Sequence, residues 1–237
     1  MSAIPANAGA AVPVIAVDGP SGVGKGVVTR WLAQHLGWHR LDSGALYRIL
    51  GLAAQRAGLS AENVEAIAAL APRLQIEFHG YDEADERILV GGEDWTNEIR
   101  SETAGGMASK IAAHPAIREA LLQRQRDFRQ PPGLIADGRD MGTIVFADAL
   151  LKIFLDASSD ERALRRWRQL SKRGVDANLS DLRAEVRLRD ERDRNRSVAP
   201  LKAAADAVNI DTTALPVAEV LDLVGALLAE RGIGRKL

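Results

Sequence analysis

The stretch "GPSGVGKGVV", Gly19 to Val28, constrains the fold of this chain more than any other. Gly19, Gly24 and Lys25 are spaced as G-x-x-x-x-G-K. The apolar run "VIAVD" (Val14 to Asp18) precedes them, and a segment in which Val28, Trp31, Leu32 and Leu36 recur at helical spacing follows. A buried strand, a glycine turn and an amphipathic helix in that order make a phosphate cradle. The glycines let successive backbone N–H groups point inward, the helix N-terminus adds positive potential, and the lysine reaches the outer phosphates. Gly19, Pro20, Ser21, Gly22, Val23, Gly24, Lys25, Gly26 and Val27 are therefore the expected loop for the phosphates of a nucleotide. The position after Lys25, where Ser or Thr ordinarily holds Mg²⁺, is Gly26, and the next is Val27. With no direct protein ligand, the ion is expected to be held by nucleotide oxygens and water, oriented by strand-end carboxylates such as Asp18, Asp42 or Asp137.

The same alternation of strand and helix continues. "WHRLD" ends at Asp42, and Ser43 is placed to cap a helix that turns Leu46, Ile49, Leu50 and Ala53 inward. Gly37 is placed to stop the helix before it. "GLIAD" (Gly133 to Asp137), "LLKIFLD" (Leu150 to Asp156) and "AVNID" (Ala207 to Asp211) are further apolar runs, each followed by a helical stretch. Five buried strands with crossover helices imply an α/β fold with a parallel sheet. The middle breaks the rhythm. Pro72 ends a helix, "RLQIEFH" alternates Leu74, Ile76 and Phe78, and "ERILVGG" follows the turn-like "GYDEADE", which predicts an antiparallel hairpin. Helices are expected over about Thr96 to Ala113 and Pro115 to Gln130, with Pro115 at a favoured first-turn position. Residues 71–113 read as an insertion folding over the strand ends, 13–70 and 114–237 as the core, and 1–12 as a disordered lead-in.

Composition narrows the function. With 237 residues, 46% hydrophobic and 27% charged, the chain suits one large domain carrying an insertion. Its formal net charge of −1 supplies no global field for DNA, RNA or an anionic membrane. The absence of cysteine excludes disulfides, thiolate zinc sites and cysteine nucleophiles, and suits a reducing cytoplasm. The first residues lack the features of a signal peptide, and no apolar run is long enough to span a bilayer. Arginines crowd from Arg162 to Arg196, but interleaved acids make most of them an ion-paired helical surface. Two subsets share a helical face by spacing: Arg162 with Arg166, and Arg189 with Arg192 and Arg196. Phosphoryl transfer needs cations around a spreading negative charge, and Arg162, Arg166 and Arg189 are expected to supply them beside Lys25.

"LDSGALYR" and "DGRDMG" each set a basic group beside an acidic one just after a strand, at the sheet edge where open α/β folds bind ligands. Arg48 and Arg139 are suited to bidentate donation to a phosphate. Here the chain resembles the bacterial cytidylate kinases, which are P-loop nucleoside monophosphate kinases. The resemblance runs from "VDGPSGVGKG" through "LDSGALYR", "HPAIREALLQRQRDFR" and "PGLIADGRDMGT" to "KIFLDAS" and "RDERDRNRSVAPL". It implies a three-layer P-loop kinase fold with a five-stranded parallel sheet, a monophosphate-binding insertion and a short arginine-bearing lid at about 158–180. The implied reaction is transfer of the γ-phosphoryl of ATP to CMP or dCMP, with Mg²⁺.

Carried over by the resemblance, Ser43, Arg48 and Arg139 hold the acceptor's phosphate. Ser109, Arg118 and Asp140 read its base, and Asp193 and Arg196 contact its ribose side. The base assignment has chemical sense, since cytosine offers an amino donor to Asp140 whereas uracil presents a carbonyl. Such a site can discriminate by about 10⁴ at best. In the resembled family glycine is common after the lysine, so the departure narrows to Val27, where threonine is usual. The expected partners are small molecules alone, and the expected state is a monomer. A kinase of another acceptor, such as UMP or an alcohol, and a nucleotide switch acting on nucleic acid are the rival readings. The neutral charge and the second anion site at Arg48 and Arg139 oppose the switch.

Overall fold

The computed structural model describes residues 11–80, 86–172 and 174–234. Residues 1–10 of the expected lead-in lie outside that range. Its last residue is fastened, the Val12 carbonyl accepting from Arg129 Nε at 2.7 Å.

Strand β1 (Val14–Asp18) is buried throughout and alternates between two cores: Val14 and Ala16 join one, Ile15 and Val17 the other. A strand apolar on both faces must be covered on both, which is what crossover helices do. Helix α1 (Lys25–Leu36) buries Val28, Leu32 and Leu36, with Trp31 partly covered and stacked on His35. Gly37 ends it at φ 68°, as expected. Strand β2 (His39–Asp42) then enters α2 (Ser43–Arg56), where the expected cap is corrected. Asp42 keeps extended backbone and its Oδ1 accepts from the Ala45 N–H at 3.0 Å, whereas Ser43 is already helical. Both residue types cap, and the one left outside the helix does so, a contact worth about 1 kcal/mol.

Helix α3 (Val64–Leu70) passes into a 3₁₀ turn at Ala71–Arg73 containing Pro72. The expected hairpin follows as β3 (Ile76–His79) and β4 (Arg87–Val90), with Ile76 opposite Val90. A third short strand, β5 (Glu93–Asp94), extends it. The single helix expected from Thr96 to Ala113 is two, α4 (Thr96–Ile99) and α5 (Glu102–Ile111). Ser101 is extended between them, and its side chain restarts the helix by accepting from the Ala104 N–H at 3.1 Å. Helix α6 (Pro115–Asp127) opens on Pro115.

The rest comprises β6 (Leu134–Gly138), a π turn at Met141–Val145, β7 (Leu151–Asp156), α7 (Ser159–Lys172), α8 (Leu179–Arg194), β8 (Val208–Asp211) and α9 (Val217–Glu230). Five strands form one parallel sheet in the order β2-β6-β1-β7-β8. Asp18, Asp42, Asp137 and Asp156 therefore finish at one edge. Helices α1 and α9 cover one face of the sheet, and α2, α5 and α6 the other, which gives three layers. The small sheet packs on α2 through Ile88, Val90, Trp95 and Ile49. Helices α7 and α8 run antiparallel: Asp160 near the start of α7 pairs with Arg183 and Arg187 in α8. Among the described residues no helix is long and apolar enough to cross a membrane.

Candidate active site

The turn from β1 to α1 is shaped by glycine. Gly19 has φ 147°, and a Cβ there would stand 2.1 Å from the Leu155 carbonyl oxygen, so no side chain fits. Gly24, at φ 98°, caps α1, and its carbonyl accepts from Val27 N–H at 3.0 Å. Lys25 is thereby the first residue of α1. Its Nζ donates to the Pro20 carbonyl at 2.9 Å and lies 3.9 Å from Asp137 Oδ1. Burial, then the Arg139 charge, holds this lysine below the ordinary lysine range, and burial pushes Asp137 up despite the lysine beside it. Val27 is 36% exposed.

Arg139 and Arg189 lie close enough to Lys25 for their charges to lower it, and Arg48 stands beside both of those arginines. Arg48, from α2, donates through Nη1 to the Ile99 and Ser101 carbonyls at 2.8 and 3.2 Å. It lies so close to α5 that a Cβ on Gly105 would come within 3.3 Å of its guanidinium. Arg139 donates to Asp193 Oδ2 at 3.1 Å and to the Gly138 carbonyl at 3.1 Å. The Nε of Arg189, from α8, is buried with no hydrogen-bond partner. Burial first, then Arg139 and Arg48, pushes Arg189 down to about 10, and burial also lowers Arg48. Buried cations gathered around Arg139, one of them with an idle buried donor, suit a multiply charged anion.

Beside these cations lies a second cluster of buried polar side chains. Arg118 and Asp140 form a buried ion pair, and Arg118 stands 5.7 Å over the Tyr47 ring. Ser109, 4% exposed, accepts from Arg192 Nη1 at 3.1 Å. Burial pushes Asp193 up, but Arg139, Arg196 and Arg189 outweigh it and hold its carboxyl below the ordinary range. Arg196 donates through Nε to the Asp193 carbonyl at 3.3 Å and keeps a buried Nη2 without a partner. Ser43 donates to Gln125 Oε1 at 2.8 Å. The structure thus gathers Ser43, Arg48, Arg139, Asp193 and Arg196 with Ser109, Arg118 and Asp140, although they come from α2, α5, α6, β6 and α8 with the loops that follow.

The lid arginines depart from their expected arrangement. Arg196 shares no helical face with Arg189, because Asn195 ends α8 and its N–H returns to the Glu191 carbonyl. Arg162 is 2% exposed and fully engaged rather than reaching toward phosphates. It donates to the Ala157 carbonyl at 2.9 Å, the Ser21 carbonyl at 3.0 Å and both carboxylate oxygens of Asp190. Arg166 pairs with Glu102 of α5, so α7 reaches across to the helix that carries Ser109. Asp18, expected near magnesium, has both oxygens committed to the Met141 and Gly142 N–H groups.

Gln125, Glu102 and Asp190 were not singled out by sequence reasoning. Each sits in a polar helical run where nothing local separates it from its solvated neighbours. A cavity of about 560 Å³ beside the phosphate loop was also unforeseen, lined by Asp156, Ser158, Arg162, Asp211 and Thr213 among others. A larger one, about 1000 Å³, lies between β2, the β3–β4 hairpin and α6, and Asp42 is on its lining. Its arginines are already paired, Arg40 with Glu86 and Arg124 with the Ala71 and Leu74 carbonyls.

A sequence model of the cytidylate kinase family matches residues 15–230. The chain is 54% identical over 222 residues to the cytidylate kinase of Aeromonas salmonicida, covering 94% of this chain and 96% of that one. It is 54% identical over 222 residues to that of Pseudomonas putida, with 93% and 97% covered. Against that of Azotobacter vinelandii it is 53% identical over 221 residues, with 93% and 96% covered.

Proposed function

From the premise that the chain belongs to the cytidylate kinase family, and so transfers the γ-phosphoryl group of ATP to CMP or dCMP, we propose how its residues divide the work. The observation that carries the division is the gathering of Lys25, Arg48 and Arg189 around Arg139: burial first, and then neighbouring charges that include Arg139, lowers all three. Two substrates' phosphates meet there. The loop from Gly19 to Val27 cradles those of ATP, with Lys25 on the transferred group. The cavity at the ends of β7 and β8 takes the nucleoside end of ATP, since it adjoins the loop through Arg162 and Ser21. Arg48, Arg139 and Ser43 hold the phosphate of CMP, and Asp193 and Arg196 its sugar.

Asp140 accepts from the cytosine amino group while Arg118 and Ser109 donate to its ring acceptors. A uracil carbonyl in the same place faces a carboxylate and is repelled. Arg189 and Arg166 neutralise charge as the phosphoryl group moves. Arg162 acts one step back by holding the Ser21 carbonyl of the loop. No general base is needed, because the acceptor oxygen is already ionised at neutral pH; catalysis is positioning and charge neutralisation. Residues 71–113 form the monophosphate-binding insertion on a core of 13–70 and 114–237, and about 158–180 form the lid.

Magnesium fits the donor set without a direct protein ligand. Among the described residues no three acidic or imidazole groups gather, but Asp42 and Asp137 are neighbouring hard oxygen donors whose mutual repulsion helps raise Asp137. They would hold it through its waters, and when bound it offsets charge on the phosphate oxygens. The protein acts as a monomer in the cytoplasm. In support of the compartment, cysteine is absent.

Calorimetric titration of CMP into Arg139→Met tests the division. Weakened CMP binding with ATP binding kept is expected, and unchanged CMP binding would remove Arg139 from the acceptor's phosphate.

A further inference from the structure

Asp140 stands where an aspartate ordinarily caps its own helix. It is the N-cap of the π turn Met141–Val145, yet its side chain makes no capping bond and pairs with Arg118 instead. The first N–H groups of such a turn need acceptors from somewhere. They find them on β1, where Asp18 accepts from the Met141 N–H through Oδ1 at 2.8 Å and from the Gly142 N–H through Oδ2 at 2.8 Å. Asp18 is only 5% exposed and directly precedes Gly19 of the phosphate loop. The clamp is closely fitted, since a Cβ on Gly142 would come within 3.4 Å of Asp18 Oδ2 and 3.1 Å of Lys152 Cδ.

We propose that Asp18 is a positioning residue for cytosine recognition: by capping the Met141–Val145 turn from β1, it leaves the Asp140 carboxylate free for Arg118 and the base. The proposal rests on the reading of Asp140 as the acceptor of the cytosine amino group. Its logic is a division between two aspartates. Were Asp140 to satisfy the Met141 and Gly142 amides itself, its oxygens would be turned toward its own backbone and away from Arg118. A carboxylate from a neighbouring strand performs the cap instead. Burial pushes Asp18 up to about 6 even against its two N–H bonds, so the clamp is kept at an electrostatic cost. A buried charge is a poor way to gain stability alone. The clamp also joins the two halves of the site, because the residue that supports the base reader is followed at once by the first residue of the ATP loop.

The test compares kcat/KM for CMP and UMP in wild type, Asp18→Asn, Asp140→Ala and the double variant. An asparagine keeps one acceptor but turns an N–H donor toward the second amide, so the cap is half lost while size is kept. Asp18→Asn is expected to lower the CMP-to-UMP ratio by about tenfold, through a higher KM for CMP with the KM for ATP unchanged. In the Asp140→Ala background it should change the ratio no further. If Asp140→Ala collapses the ratio and Asp18→Asn leaves it intact, the positioning role is overturned while the base reading stands. If Asp140→Ala itself leaves the ratio intact, the base reading fails and takes the proposal with it. Amide exchange in the wild type gives a readout that needs no folded variant. Slow exchange at Met141 and Gly142 is expected, and exchange as fast as in an unstructured chain overturns the clamp.

Discussion

Lys25 Nζ lies 3.9 Å from Asp137 Oδ1 and donates to the Pro20 carbonyl at 2.9 Å, so the lysine of the phosphate loop is held between the end of β6 and its own loop. This suits it to the ATP side of the crevice that we propose for it. Lys25→Ala is therefore expected to lower turnover by about 10²-fold or more while leaving CMP affinity little changed. Steady-state kinetics with CMP titration check this, and an equal loss of CMP affinity would contradict the assignment.

The same pair predicts a proton signature. Burial holds Lys25 below the ordinary lysine range and Asp137 above the ordinary carboxylate range. Polyphosphate bound beside Lys25 favours its protonated form, so ATP binding takes up protons there. The effect is read at about pH 8, where the phosphates of free ATP are already ionised. Calorimetry in buffers of differing ionisation enthalpy should show net uptake that Lys25→Met reduces. Affinity for ATP should also weaken as pH rises further, because the lysine then binds as the neutral amine more often.

Val27 leaves one donor fewer in the loop than a threonine would. A contact of that kind is worth about 1 kcal/mol, less than tenfold in rate. Val27→Thr is expected to lower the KM for ATP or raise turnover within that bound. No improvement in either would mean that the hydroxyl is not missed.

Arg162 and Asp190 bind each other in a buried pair that also grips Ser21. Asp190→Asn leaves a buried guanidinium without its counter-charge, which costs about 3–5 kcal/mol and should appear as a lower Tm. Loss of turnover with an unchanged Tm would instead mean that Arg162 leaves Asp190 and acts on the phosphates.

The sheet was legible because its inner strands β1, β6 and β7 are short apolar runs that reach an aspartate at or near their ends, while the partly exposed edge strands β2 (HRLD) and β8 (VNID) were marked by their closing aspartates and the helical stretches after them. The phosphate loop was legible because its glycines are demanded by backbone shape, as the contact between Gly19 and Leu155 makes plain. Local competition was harder to read. Asp42 and Ser43 are both good caps, and Ser101 interrupts a helical run with a cap that looks like one more polar residue. Long-range commitments left no local trace. Asp18 meets Met141 across 123 residues, and Arg162 meets Asp190 across 28, so neither could be told from a solvated charge by spacing. The base and sugar residues were reached through the family resemblance, since Ser109 alone reads as a helix-surface hydroxyl.

The central claim is that buried hydrogen-bonding groups around Arg118 and Asp140 select the acceptor's base. It is tested most directly by measuring ADP release from ATP over a panel of CMP, dCMP, UMP, AMP and water. Preference for CMP and dCMP over UMP and AMP by orders of magnitude, approaching about 10⁴, is the predicted result. CMP and dCMP performing no better than UMP, AMP or water would contradict it.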